Sequence, residues 1–199
     1  AFDIALWDLL AQKAGMPLYK LLGAHRRDVP VYASGGWLIP LDELVEEAVN
    51  YKRQGYKCYK MKLGCKDYRE DLHRVKCVRE ALGDDVEVYV DVNQGWSVKQ
   101  AVMIAPMLRD LGVTYLEEPT EAQDYAGQAD IRANTDIRIV AGESLSSTVE
   151  HFELMRNKGV DTLNPDLQKC GGVTNFMQVC AIANAFRIPV TSHTLTEVS

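Results

Sequence analysis

The chain has 199 residues, 47% of them hydrophobic and 25% charged, a composition with ample material for a globular core. Its formal net charge of -6, without any basic tract, argues against nucleic-acid binding and against attachment to an anionic membrane. No apolar run approaches the roughly 20 residues of a membrane span, and five cysteines without C-x-x-C spacing (Cys58, Cys65, Cys77, Cys170, Cys180) point to reduced thiols in a cytoplasmic protein.

From Ala1 to Leu22, Phe2, Ala5, Leu6, Leu9 and Leu10 recur at helical spacing, interrupted at Gly15-Met16-Pro17. Pro17 can start a second short helix, and Gly23 ends it. From Val29 the pattern becomes an alternation of strand and helix. Strands are predicted at 29–33, 58–63, 86–90, 113–116, 138–141, 160–163 and 188–191. Helices are predicted at 41–54, 67–82, 97–111, 128–133, 147–156 and 173–186. Ser97 is a candidate N-cap, and Pro106 predicts a kink or an irregular turn in the third of these helices. Seven short apolar strands alternating with six helices predict a parallel sheet with right-handed crossovers. No G-x-G-x-x-G follows the first strand, which disfavours a dinucleotide fold. The expected architecture is an α/β barrel that lacks its last unit, since a full barrel usually needs about 250 residues.

Lys60 and Lys62 share one face at the end of the second strand. By themselves they read as a frayed strand end with two solvated lysines. The following strand ends change that reading. Asp91 and Asn93 close the third strand, Glu117 the fourth, Glu143 the fifth, Asp166 the sixth and His193 the seventh. Successive positions are 23 to 29 residues apart, one strand-helix unit each, so all of them converge on the C-terminal rim where barrels carry their active sites. Three carboxylates on adjacent strands, Asp91, Glu117 and Glu143, repel unless a cation neutralises them, and an all-oxygen set selects a hard ion such as Mg2+. Spacing does not choose between Glu117 and Glu118, although neighbours on a strand face opposite ways; Glu118 is an alternative ligand or half of an ion pair in the barrel wall. Lys62 and His193 fall on opposite sides of the cluster. Asp166 is in register to hydrogen-bond His193 and fix its tautomer. The like charge of Lys60 is expected to depress the pKa of Lys62 toward a neutral amine. His73 and His151 fall within helices and His25 in a turn, without an evident role. Trp37 and Trp96 follow strand ends, suited to a pocket wall or to packing, and Gly171-Gly172 is either an anion site at a helix N-terminus or turn chemistry.

Lys60-Met61-Lys62, Asp91-Val92-Asn93-Gln94, Glu117-Glu118-Pro119, Gly142-Glu143, Pro165-Asp166 with Lys169-Cys170-Gly171-Gly172, and Ser192-His193 together resemble the enolase superfamily, and within it the mandelate racemase subgroup with its acid-sugar dehydratases. The opening Ala1-Phe2-Asp3-Ile4-Ala5-Leu6-Trp7-Asp8-Leu9 resembles the helix that precedes the barrel there. The resemblance implies an incomplete (β/α)7β TIM-type barrel at 29–199, preceded at 1–28 by a remnant of the capping domain. It implies Mg2+ at Asp91, Glu117 and Glu143, and Lys62 and the His193–Asp166 dyad as two bases. It implies Lys60 as a catalytic group that holds the substrate carboxylate and the enolate, and Asn93 as a substrate or supporting contact. The pairing of a Lys or His base with Mg2+ is the general pattern of that superfamily.

The implied reaction removes the proton α to a carboxylate through an enediolate. Dehydration of an acid sugar is the first expectation, racemisation or epimerisation of a 2-hydroxy acid the alternative, and a non-catalytic metal-binding barrel the third. The expected partner is a small carboxylate, with the full-length protein a homo-oligomer. The opening inside a helical pattern and the stop after a strand are expected of part of a larger protein.

Overall fold

The computed structural model describes residues 1–24, 26 and 28–193. His25, expected in a turn, lies outside the described residues, as do positions 194–199. Two helices, α1 (Phe2–Ala14) and α2 (Leu18–Leu21), come first. Among the described residues six strands follow: β1 (Ala33–Ser34), β2 (Cys58–Lys62), β3 (Glu87–Asp91), β4 (Val113–Glu117), β5 (Arg138–Ala141) and β6 (Thr162–Leu163). Between and after them run α3 (Leu41–Arg53), α4 (Tyr68–Leu82), α5 (Val98–Asp110), α6 (Tyr125–Ala133), α7 (Thr148–Arg156) and α8 (Val173–Phe186). Every strand pairs in parallel with the next in sequence, so the sheet order is β1-β2-β3-β4-β5-β6. That sequential order, with a helix in each crossover, is the wall of a (β/α) barrel. Among the described residues no helix is long and apolar enough to cross a membrane.

The sequence-based boundaries change at the two ends of the sheet. The expected strand 29–33 shrinks to Ala33–Ser34, paired with Tyr59 and Lys60. Pro30 has no N–H to donate, and Val29 and Val31 are exposed. The expected seventh strand, 188–191, is no ladder. Val190 and His193 make isolated parallel bridges to Leu163 and Asp166. Pro189 removes a donor at the centre of that segment, and its carbonyl accepts from Leu163 N at 2.9 Å. The bridges still carry His193 to the rim beside Asp166. α5 runs unbroken through Pro106. Its start is fixed by a reciprocal Ser97–Gln100 capping box.

Alternation along each strand builds two layers. Met61, Val88, Val90, Leu116 and Ile139 face outward against Leu44, Val75, Val78, Ile104 and Leu108 of the helices. Tyr89, Tyr115 and Val140 face inward with Tyr32 and Cys58. The rings of Tyr89 and Tyr115 stack with centroids 4.4 Å apart. This aromatic layer lies two residues below Asp91 and Glu117, one pleat period, and so forms a floor beneath them.

Candidate active site

Lys62, Asp91 and Glu117 are the last residues of β2, β3 and β4, whereas Glu143 and Asp166 lie just past β5 and β6. Register pairs Lys62 with Asp91 and Asp91 with Glu117, so these three stand side by side on the rim. Glu143 follows β5 after Gly142. Asp91, Glu117 and Glu143 each bring one carboxylate oxygen within 4.8 Å of the others. All three are buried, Asp91 and Glu117 completely. Burial, opposed by Lys60 and aided by the negative charge of Asp91 and a hydrogen bond with Glu143, pushes the Glu117 carboxyl up to about 8. Three buried carboxylates held this close carry a large unfavourable self-energy, which a divalent cation reverses. The donors are all oxygen, so the set fits a hard ion of the Mg2+ type.

The structure places Glu118 elsewhere. Glu117 and Glu118 diverge because Glu118 adopts a left-handed backbone, φ 40°. Its side chain is buried and accepts from Gln94 Nε2 at 3.3 Å. Among the described residues it forms no ion pair of the kind the sequence suggested. Gln94 is a supporting residue that sequence reasoning missed. Its amide also donates to Ser144 Oγ at 3.0 Å and accepts from Ala122 N at 2.9 Å, tying together the loops after β3, β4 and β5. Its signal was the Asp91-Val92-Asn93-Gln94 turn, where Asn93 and Gln94 both have positive φ. The Asn93 backbone N–H donates to Asp91 Oδ1 at 2.9 Å, while its own side chain is exposed.

The two lysines end differently. Lys60 is buried and its Nζ donates to both oxygens of Glu117 at 2.7 Å, with Asp91 at 3.6 Å. Burial disfavours the ammonium, but Glu117, Tyr32 and Asp91 outweigh it and hold Lys60 above the ordinary lysine range. Lys62 Nζ donates to Asp91 Oδ2, and the Trp37 ring lies 5.4 Å from it. Trp37 is 66% exposed on the rim, whereas Trp96 is in the core. The turn before Trp37 is pinned from α3: Glu47 Oε1 accepts from Gly36 N and from Tyr59 Oη, both at 2.7 Å. Gly36 has φ 63°, and a Cβ there would meet Met61 Cβ at 2.6 Å, so only glycine fits.

On the other flank, His193 Nδ1 lies 2.8 Å from Asp166 Oδ2, and His193 Nε2 lies 2.9 Å from Glu143 Oε2. Asp166 Oδ1 is occupied by the Gln168 and Lys169 amides at 2.8 Å each. The hydrogen bond with Glu143, opposed by burial and aided by Asp166, raises the His193 pKa. Burial works against the Glu143 carboxylate, but His193 and the neighbouring cationic charge bring it down to about 2. Lys62 thus touches the first carboxylate of the row and His193 the last. The other described histidines stand apart: His151 is buried in α7 against the carbonyls of Ser147 and Gly142, and His73 sits beside Cys77. All five cysteines are free thiols.

Comparison with known proteins gives a consistent picture. The family model described as "Enolase C-terminal domain-like" matches residues 43–199. L-talarate/galactarate dehydratase of Salmonella typhimurium is 38% identical over 198 residues, 98% of this chain and 50% of that protein. The crystal structure of L-talarate dehydratase from Polaromonas sp. JS666, complexed with Mg and L-glucarate, superposes with a TM-score of 0.94 at 37% identity, covering 100% of this chain and 56% of that one. A racemase from Streptomyces coelicolor A3(2) with bound magnesium gives 0.96 at 36% identity over the same shares. The chain spans about half the length of the curated relatives it matches.

Proposed function

The chain belongs to the enolase C-terminal domain-like family, and from that premise we propose that its protein abstracts the proton α to a carboxylate, most specifically in the dehydration of an acid sugar. The observation that carries this reading is the bracketing of three buried carboxylates by two bases, Lys62 at Asp91 and His193 at Glu143. In this reading Asp91, Glu117 and Glu143 hold Mg2+, which when bound supplies positive charge where the substrate carboxylate gains negative charge. Lys60 adds a fixed ammonium beside them. Among the described residues α1 and α2 lie ahead of the barrel strands, as the end of a capping domain would.

Lys62 and His193 approach the substrate from opposite flanks. One takes the proton from C2, the electron pair left behind moves into the substrate carboxylate as an enediolate, and its return forms the C2–C3 double bond as the C3–O bond breaks. The leaving hydroxyl departs as water with a proton from His193. The resulting enol tautomerises to a 2-keto-3-deoxy acid. Asp166 holds the imidazole through Nδ1, so Nε2, which meets Glu143 Oε2 at 2.9 Å, is the nitrogen turned toward the carboxylate row. Asn93 positions Asp91 through its backbone amide. The same pair of opposed bases also suits a racemase or epimerase, in which the second base returns a proton to C2 from the other face, and the Streptomyces racemase with bound magnesium keeps that reading open.

The full-length protein, incubated with Mg2+ and a panel of acid sugars in D2O, tests both. A 2-keto-3-deoxy product carrying deuterium at C3 is expected, because C2 becomes the ketone carbon and C3 takes its new hydrogen from solvent as the enol tautomerises. Exchange with inversion but no keto acid selects the epimerase. No Mg2+-dependent exchange with any carboxylate overturns the proposal and leaves a binding barrel.

A further inference from the structure

We propose that Asp3, on α1, is a positioning residue for the Asp166–His193 pair, acting through the start of α8. This rests on the reading of His193 as a base, but its structural half does not.

α8 begins after Gly172, which has φ 107° and no side chain to cap the exposed amides. Asp3 supplies the missing cap from 171 residues away. Its Oδ1 accepts from Thr174 N at 3.0 Å, and its Oδ2 from Thr174 Oγ1 at 2.5 Å. Trp7 Nε1 donates to the same Thr174 oxygen at 2.9 Å. Both roles of that hydroxyl are therefore used by α1. A Cβ at Gly172 would collide with the Asp3 carboxylate, so the glycine makes room for it. The negative charge also meets the positive end of the α8 dipole. The anion that Gly171-Gly172 suggested from sequence is thus a side chain of this chain.

The segment between α8 and the dyad is braced throughout. Cys170 N donates to Asp166 O and Gly172 N to Leu167 O, both at 2.9 Å. Asn175 Nδ2, inside α8, donates to Cys170 O at 3.0 Å. Leu167 and Cys170 are buried. At the far end, Asp166 Oδ2 meets His193 Nδ1. A displacement of the first turn of α8 is carried by this short strut to Asp166, and from there to the imidazole. Asp3 touches none of the reacting groups.

Two readouts on the Mg2+-loaded full-length protein test this. The first is the His193 Nδ1–H proton resonance, assigned through His193→Asn and recorded without substrate. Asp3→Ala is expected to shift or broaden it, and Asp3→Asn, which keeps an acceptor for Thr174 N, to restore it. The second is C2 exchange from each substrate epimer. Asp3→Ala is expected to slow exchange on the His193 face by about ten- to a hundred-fold, the scale of a roughly 1 Å misplacement, with exchange on the Lys62 face within about twofold. An unchanged resonance, or equal loss on both faces, overturns the proposal. If the wild-type protein exchanges no substrate while the resonance responds to Asp3→Ala, the coupling stands and the α-proton reading falls. Thr174→Val removes only the hydroxyl and carries the same resonance test if Asp3→Ala does not fold.

Discussion

Lys60 and Lys62 share a face of β2, yet one pleat step separates a buried ion pair from a half-open rim. Lys60 commits its charge to Glu117 and Asp91, so the like-charge repulsion expected between the two lysines is met by carboxylates. Lys62 reaches Asp91 beside the exposed Trp37 ring. If Lys62 and His193 are opposed bases, Lys62→Ala and His193→Asn each lower kcat by about two to four orders of magnitude. Each variant then retains C2 exchange from only one epimer, and the two variants retain opposite ones, as read by proton NMR in D2O. Full activity in either variant removes that residue from the assignment. The acids and bases were legible in the sequence because period 2 and a regular unit length place them. Spacing left open the choice between Glu117 and Glu118, which only the family resemblance made, because the divergence of the two depends on the backbone turning left-handed at Glu118. Tyr89 and Tyr115 were legible in principle: each precedes a proposed ligand by two residues and so lies directly beneath it.

At the scale of elements, helix caps decide where loops leave the barrel. Ser147 and Glu150 form a reciprocal capping box at the start of α7, just after Glu143 and the Ser144–Ser146 loop. Glu150 also accepts from Ser146 N at 2.8 Å, and Gln123 reaches it from the β4–α6 loop at 2.7 Å. Ser146 N–H, opposed slightly by burial and helped by the Ser146, Gln123 and Ser147 side chains, brings the Glu150 carboxyl down to about 2. Because its folded pKa lies below the ordinary 4.5, the stability it confers is complete above about pH 4.5 and is lost as pH falls toward 2. Urea unfolding at pH 7 and pH 3 checks this: Glu150→Gln should be less stable than the parent at pH 7, by a margin that narrows at pH 3. An equal difference at both values removes the charge from the account. The same capping logic was readable at Ser97 and Gln100, where donor and acceptor are three residues apart. It was unreadable at α8, because its cap, Asp3, lies at the other end of the chain.

For the whole molecule, if the three buried carboxylates at one end of the parallel barrel hold the proposed cation, folding is coupled to its binding. Mg2+ that binds only the folded state is expected to stabilise it by about 2.7 kcal/mol at a hundred times its Kd. Thermal unfolding with Mg2+ and with EDTA reads this directly, and Glu117→Gln should abolish most of the difference. A melting point indifferent to Mg2+ would exclude these residues as the ion's site. By itself the sequence determined the alternation of strands and helices, the shared rim, and the residue types on it, because strand pleat and unit length are local properties. Tertiary structure alone decided which groups meet. It set Lys60 on Glu117, divided Lys62 and His193 between the first and last carboxylates, and reduced the outer strands to short pairings where Pro30 and Pro189 lack an N–H. Those outcomes depend on register, burial and charge pairing between segments far apart in the chain, and none of these is encoded within one segment.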